Sequence, residues 1–264
     1  MKIQMKTTLV HWSLALLVTA GAAFSLTSTA GAAQDEKGEK PAVTEQADAV
    51  SDADKAVIAA QLPFYPMNTC VVSGKPLDED AKNVVIDGNL YRTCCSRCAA
   101  KIIKDSTEAR KDIEAAVIAA QKPLWPDMPC PVSGEAFGGE EMGDPVDFVY
   151  GMRYFKLCCG GCKRGVAKDA DNVYGKISAA MMTEQAKTYP LTKCVISGEE
   201  LGSMGDPIDR MYGTTLVRLC CKGCVRGFEK NAAALAKQVK DARIDRRRGK
   251  GTKEASAPKP EKQG

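Results

Sequence analysis

The chain has 264 residues, 37 Lys+Arg against 33 Asp+Glu for a formal net charge of +4, and 12 cysteines beside a single histidine. So balanced a charge lacks the basic face that phosphate binding demands, which argues against nucleic acid as a partner. The one histidine, His11, falls in an N-terminal leader, and no paired carboxylates, Ser/His pairing or phosphate-cradling glycine loop appears. The sequence therefore does not read as an enzyme.

Residues 1–33 read as a secretory signal. Lys2 and Lys6 precede an apolar run from Leu9 to Phe24, and Ala30-Gly31-Ala32 fits a small-residue cleavage site. The run is short of the roughly 20 residues a membrane span needs. The leader predicts an exported protein, in a bacterial periplasm, with no membrane span after signal cleavage. Residues 34–50 are polar and aperiodic, a disordered linker. Ser51, with Asp54 three residues on, predicts an N-cap for a short helix that runs into Ala56–Gln61 and stops at Pro63. The same six residue types recur at Ala116–Gln121, before Pro123. Each copy then meets an aromatic–proline pair, Tyr65-Pro66, Trp125-Pro126 or Tyr189-Pro190. The aromatic is expected to pack beneath its module, and the proline to fix the entry of the chain.

All 12 cysteines belong to one constellation used three times. Its first part is Cys70-Val71-Val72-Ser73-Gly74, Cys130-Pro131-Val132-Ser133-Gly134 or Cys194-Val195-Ile196-Ser197-Gly198. Its second is Cys94-Cys95-Ser96-Arg97-Cys98, Cys158-Cys159-Gly160-Gly161-Cys162 or Cys220-Cys221-Lys222-Gly223-Cys224. Between them, alternating apolar residues surround Asp87-Gly88, Tyr150-Gly151 and Tyr212-Gly213, the signature of a β-hairpin. A short helix is expected to begin at each cysteine pair. Asp105, Asp169 and Asn231 should close it and cap a longer connecting helix. The fold class is α+β: three tandem small treble-clef-like modules of knuckle turn, hairpin and helix, joined by α-helices. Module 1 with its flanking helices spans 51–121, module 2 spans 122–187 and module 3 spans 188–245. A basic tail, disordered by composition, covers 246–264. Modules this small, with aromatics at 6% of the chain, need a disulfide or a metal to be secure.

Cysteines four apart, Cys94 with Cys98 for example, can face one point from a strand end and a helix, while Cys70 approaches from the turn. Helix N-termini and nearby cations (Arg92 and Arg97, Lys156 and Lys163, Arg218 and Lys222) are expected to favour the thiolate. Met67 and Met128, just before the first cysteines, are weaker candidates for thioether ligands, since methionine more often fills a core. The phrases Asp144-Pro145-Val146-Asp147 and Asp206-Pro207-Ile208-Asp209 read better as turns than as cation sites.

These phrases, with Val149-Tyr150-Gly151 and the closing Phe228-Glu229-Lys230-Asn231, resemble the YHS/TRASH-like heavy-metal-binding modules over residues 63–245. The resemblance implies a treble-clef-like unit with ligands spaced C…C-x3-C. Carried over by position, the metal ligands are Cys70, Cys94 and Cys98, then Cys130, Cys158 and Cys162, then Cys194, Cys220 and Cys224. The chain departs from the pattern in its vicinal cysteine, so Cys95, Cys159 and Cys221 are candidates for a fourth ligand. The expectation is an exported protein holding Zn(II), Cu(I) or a toxic soft ion in up to three sites, for trafficking, buffering or resistance. Its partners would be metal ions and other periplasmic metal-handling proteins. The competing expectations are a disulfide-stapled scaffold and, less favoured, a thiol redox protein using the Cys95/Cys98 spacing.

Overall fold

The computed structural model describes residues 50–138 and 143–249. The signal at 1–33, the linker up to residue 49 and the tail from residue 250 lie outside the described residues. The described chain combines small antiparallel hairpins with helices. Helix α1 spans Asp52–Gln61; β1 (Lys82–Ile86), β2 (Asn89–Thr93) and α2 (Ser96–Lys104) complete the first copy. Helix α3 (Thr107–Gln121) leads to β3 (Val146–Tyr150), β4 (Arg153–Leu157) and α4 (Cys162–Lys168). Helix α5 (Ala170–Lys187) leads to β5 (Ile208–Tyr212), β6 (Thr215–Leu219), a 3-10 turn at Lys222–Cys224 and α6 (Val225–Arg247).

Local chemistry sets the boundaries. Ser51 caps α1 by accepting from the Asp54 amide, and Asp169 caps α5 by accepting from the Asn172 amide. The third copy departs from the expected break, because Asn231 only kinks a helix that continues to Arg247. That helix also takes Arg246 and Arg247, which composition assigns to the tail. Arg246 donates to the carbonyls of Thr188 and Tyr189, and these contacts hold the last turn down. The hairpins pair in one register, Ile86↔Asn89, Tyr150↔Arg153 and Tyr212↔Thr215 closing each turn. The first turn puts Asp87 and Gly88 at positive φ, as Asp-Gly predicts. The second puts Gly151 and Met152 there, so a methionine takes a conformation that usually falls to glycine or asparagine.

Each hairpin is a separate two-stranded sheet, and such a sheet is marginal alone. The preceding helix supplies the support through one glutamine. Gln61 donates to the Gly88 carbonyl at 2.6 Å and accepts from the Leu90 amide at 2.9 Å. Gln121 does the same with Met152 (2.9 Å) and Tyr154 (3.0 Å), and Gln185 with Thr214 (2.8 Å) and Leu216 (3.0 Å). A carboxamide fits because it offers a donor and an acceptor side by side, matching a peptide edge. Beneath the hairpins, Tyr65 and Tyr189 hydroxyls accept from the amides of Arg92 and Arg218. Trp125 has no acceptor to offer in the second copy, and its Nε1 is buried without a partner.

Three apolar clusters form the core. One joins α3 (Ile113, Val117) to Tyr91, Ile102, Met152 and Tyr154, so α3 packs between the first and second copies. The second surrounds Phe155, Leu157, Val166 and Ile177, and the third Leu216, Leu219, Leu235 and Val239. The entry segment of the first copy touches both others. Phe64 meets Tyr174 edge-on at 5.1 Å between centroids, and the turn at Gly213 lies so close to Pro63 that an added Cβ would stand 2.1 Å from its carbonyl oxygen.

Two substitutions test this construction. Gln121→Ala should lower the unfolding free energy by about 2–4 kcal/mol, since it leaves a buried carbonyl and a buried amide unpaired; a urea-midpoint shift worth less than about 1 kcal/mol would contradict the clamp. Gly213→Ala should cost roughly 2–4 kcal/mol from positive φ plus the clash with Pro63, against about 1–2 kcal/mol for Gly151→Ala, which meets only ordinary contacts. Equal losses in thermal melts would count against the packing of the third turn on Pro63.

Candidate metal centres

Every triad is assembled by the same three elements. The first cysteine sits in a tight turn closed by its own backbone, with the amide of Gly74, Gly134 or Gly198 donating to the carbonyl of Cys70, Cys130 or Cys194. Each of those glycines has positive φ, between 68° and 80°, which lets the chain reverse there. The second cysteine follows the last strand residue, Thr93, Leu157 or Leu219, and the third lies one helical turn further on. Cys70, Cys94 and Cys98 thereby converge, as do Cys130, Cys158 and Cys162, and Cys194, Cys220 and Cys224. Within each triad all sulfurs lie within 4.8 Å of one another.

The separations decide what such a cluster can do. Cys94 and Cys98 sulfurs stand 4.0 Å apart, Cys130 and Cys162 3.9 Å, Cys158 and Cys162 3.6 Å, and Cys220 and Cys224 3.8 Å. A thiolate–zinc bond of about 2.3 Å puts the sulfurs of a tetrahedral centre about 3.8 Å apart. A disulfide requires about 2.05 Å, and all 12 cysteines are free thiols in this structure. Three sulfurs at metal-bridging spacing, most of them buried, can hold a metal ion.

The turn serine, standing where a second knuckle thiol is common, takes part. Ser73, Ser133 and Ser197 hydroxyls lie 3.4, 3.3 and 3.2 Å from the sulfurs of Cys94, Cys158 and Cys220. They also accept from the amides of Lys75, Glu135 and Glu199, which orients them. Burial alone would push the first cysteine up. Hydrogen bonds from the serine and from turn and strand-end amides outweigh it, bringing Cys70 and Cys130 down to about 6 and Cys194 to about 7. The third cysteine goes the other way. Burial, then hydrogen bonds donated to neighbouring sulfurs, push Cys98, Cys162 and Cys224 up to about 12. Within each triad the knuckle cysteine is thus the one that gives up its proton most readily, and the helix cysteine holds its proton most tightly.

The vicinal cysteines occupy the rim. Cys95 lies 3.8 Å from Cys94, and Cys159 and Cys221 lie 4.0 Å from Cys162 and Cys224, yet none belongs to the set of mutually close sulfurs. Amides at the helix start, those of Cys98, Cys162 and Gly223 first, lower their pKa. The helix N-terminus thus serves the fourth cysteine rather than the triad. Four of the six flanking cations are engaged elsewhere: Arg92 with Asn83, Arg218 with Asp209, Lys156 over the Phe137 ring and Lys163 over that of Phe148. Met67 and Met128 pack against apolar clusters, while Asp147 and Asp209 pair with Lys122 and Arg218.

Sequence reasoning passed over two recurring positions. The clamping glutamines stand nine residues before each first cysteine: 61 to 70, 121 to 130, 185 to 194. Three residues after the third cysteine stand Gly165 and Gly227, where an added Cβ would come within 2.5 Å of Val132 and 3.2 Å of Ile196. These glycines let the turn lie directly on the ligand helix. Aligning the copies on their cysteines would have exposed both signals.

No protein-family model matches the chain, and no curated protein or solved structure is significantly similar to it. The assignment of these centres therefore rests on their own chemistry.

Binding at neutral pH must expel protons from the thiols of Cys98, Cys162 and Cys224. In weakly buffered solution at pH 7, zinc addition should release at least about one proton per metal bound, and affinity should fall as pH is lowered. Binding with no proton release would argue against thiolate ligation.

Proposed function

We propose that the chain is an exported metal-binding protein of the YHS/TRASH-like type. Its three treble-clef-like modules each hold a soft or borderline ion, Zn(II), Cu(I) or a toxic heavy metal, for trafficking, buffering or resistance. The observation that carries the reading is the threefold convergence of three cysteine sulfurs, all within 4.8 Å of one another in each triad. Thiolate-rich sites favour soft ions over hard ones. Cys70, Cys94 and Cys98 and their counterparts are the ligands, and the turn serine and turn amides steady the first thiolate. The fourth position of a tetrahedral ion falls to Cys95, Cys159 or Cys221, or to a thiol of the protein that delivers or receives the metal. The proposed role is binding, without catalysis. The N-terminal leader supports export, and among the described residues no helix is long and apolar enough to cross a membrane.

The deciding experiment is native mass spectrometry of the chain isolated from the periplasm without added metal, with a thiol count before and after chelation. Three metal equivalents, with thiols titratable only after chelation, are expected. A metal-free mass about two hydrogens lighter per bridge, with no titratable thiol, would replace this reading with disulfide staples.

A further inference from the structure

The three centres share a plan but differ in enclosure. Cys158 and Cys220 are 2% and 1% exposed, whereas their counterpart Cys94 is only half-buried. Cys95 is exposed, while Cys159 and Cys221 are half-buried. The triads of the second and third copies lie inside the apolar clusters of their modules, and the first cluster includes none of its module's cysteines.

Two features of the chain account for this. Where Gly165 and Gly227 let the turn press on the ligand helix, the first copy has Lys101. Val72, the counterpart of Val132 and Ile196, packs instead with the cluster around Ile102 and Ile113. The segment between turn and hairpin is also shortest in the first copy, residues 75–81 against 135–145 and 199–207. Seven residues past the first cysteine, Phe137 and Leu201 pack against the second and third clusters, whereas their counterpart Leu77 joins none of the three. The apolar shell around a metal controls access to it, and the first centre lacks much of that shell.

We propose that the centres are kinetically ranked: the first, with Cys94 half-open and Cys95 at its mouth, is the exchange site, while the second and third retain their metal. This rests on the metal-binding reading above. An incoming thiolate or chelator can reach a metal held by Cys70, Cys94 and Cys98 from the side where Cys95 stands, 3.8 Å from Cys94. Exchange proceeds by associative substitution, one sulfur leaving as another binds, with no change in oxidation state.

The test is stopped-flow zinc release from the zinc-loaded full chain to the chelator 4-(2-pyridylazo)resorcinol. One equivalent should leave at least about tenfold faster than the other two. Cys94→Ser should remove the fast phase alone. Lys101→Gly, which restores the residue of the other copies, should slow it toward the remaining phases. Release of all three equivalents in one phase, or a fast phase indifferent to both substitutions, would overturn the ranking while leaving the metal-binding reading intact. Failure of the reduced chain to load Zn(II), Cu(I) or Cd(II) would instead overturn that reading, and the ranking with it.

Discussion

Sulfur atoms that carry charge repel, and sulfur atoms that do not carry charge bind metal poorly. A module built around three of them must therefore hold them together before the ion arrives. Here the burden is divided among a turn, a strand end and a helix start. Amides and a serine hydroxyl hold the first sulfur as thiolate, while burial keeps the third one protonated, so metal-free triads avoid carrying three charges at one point. The hairpin exists to bring the strand end back to the turn, and the glutamine clamp exists to hold the hairpin. Remove that convergence and little in a two-stranded sheet would persist by itself.

The division also explains the serine. A thiol at Ser73, Ser133 or Ser197 would crowd a fourth sulfur into the knuckle. The hydroxyl instead accepts from the turn backbone and lies against the second cysteine. The fourth sulfur is displaced to the rim, where helix-start amides hydrogen-bond to it. At the first centre that thiol, Cys95, is exposed, whereas Cys159 and Cys221 are half-buried.

Much of this was legible in the residues. The threefold repeat, the hairpins at Asp87-Gly88 and Gly151, and the convergence of Cys70, Cys94 and Cys98 all follow from spacing and turn chemistry. What stayed hidden depended on neighbours distant in sequence. Gln61, Gln121 and Gln185 look like polar ends of helices until a hairpin turn is seen against them. Asn231 carries the same capping signal as Asp169, yet the helix runs through it, because the burial of Leu235, Ala236 and Val239 against β6 outweighs a local cap. The cations beside the cysteines looked like thiolate partners; aromatic rings or a carboxylate engage Arg92, Lys156, Lys163 and Arg218 instead.

The glutamine clamp places the seam between modules somewhere other than the cysteines would. Helix α3 follows the first ligand set but grips the second hairpin, and α5 follows the second set but grips the third. A repeat's unit begins at the gripping helix and runs into the helix after its third cysteine, where Ile113 and Val117, Ile177 and Met181, or Leu235 and Val239 complete its core. A cut at the first cysteine of a repeat would strip a hairpin of its support. Because α3 and α5 also pack on the copy before them, each of these two helices ties a hairpin to its predecessor, so loss of order in one copy should loosen the next.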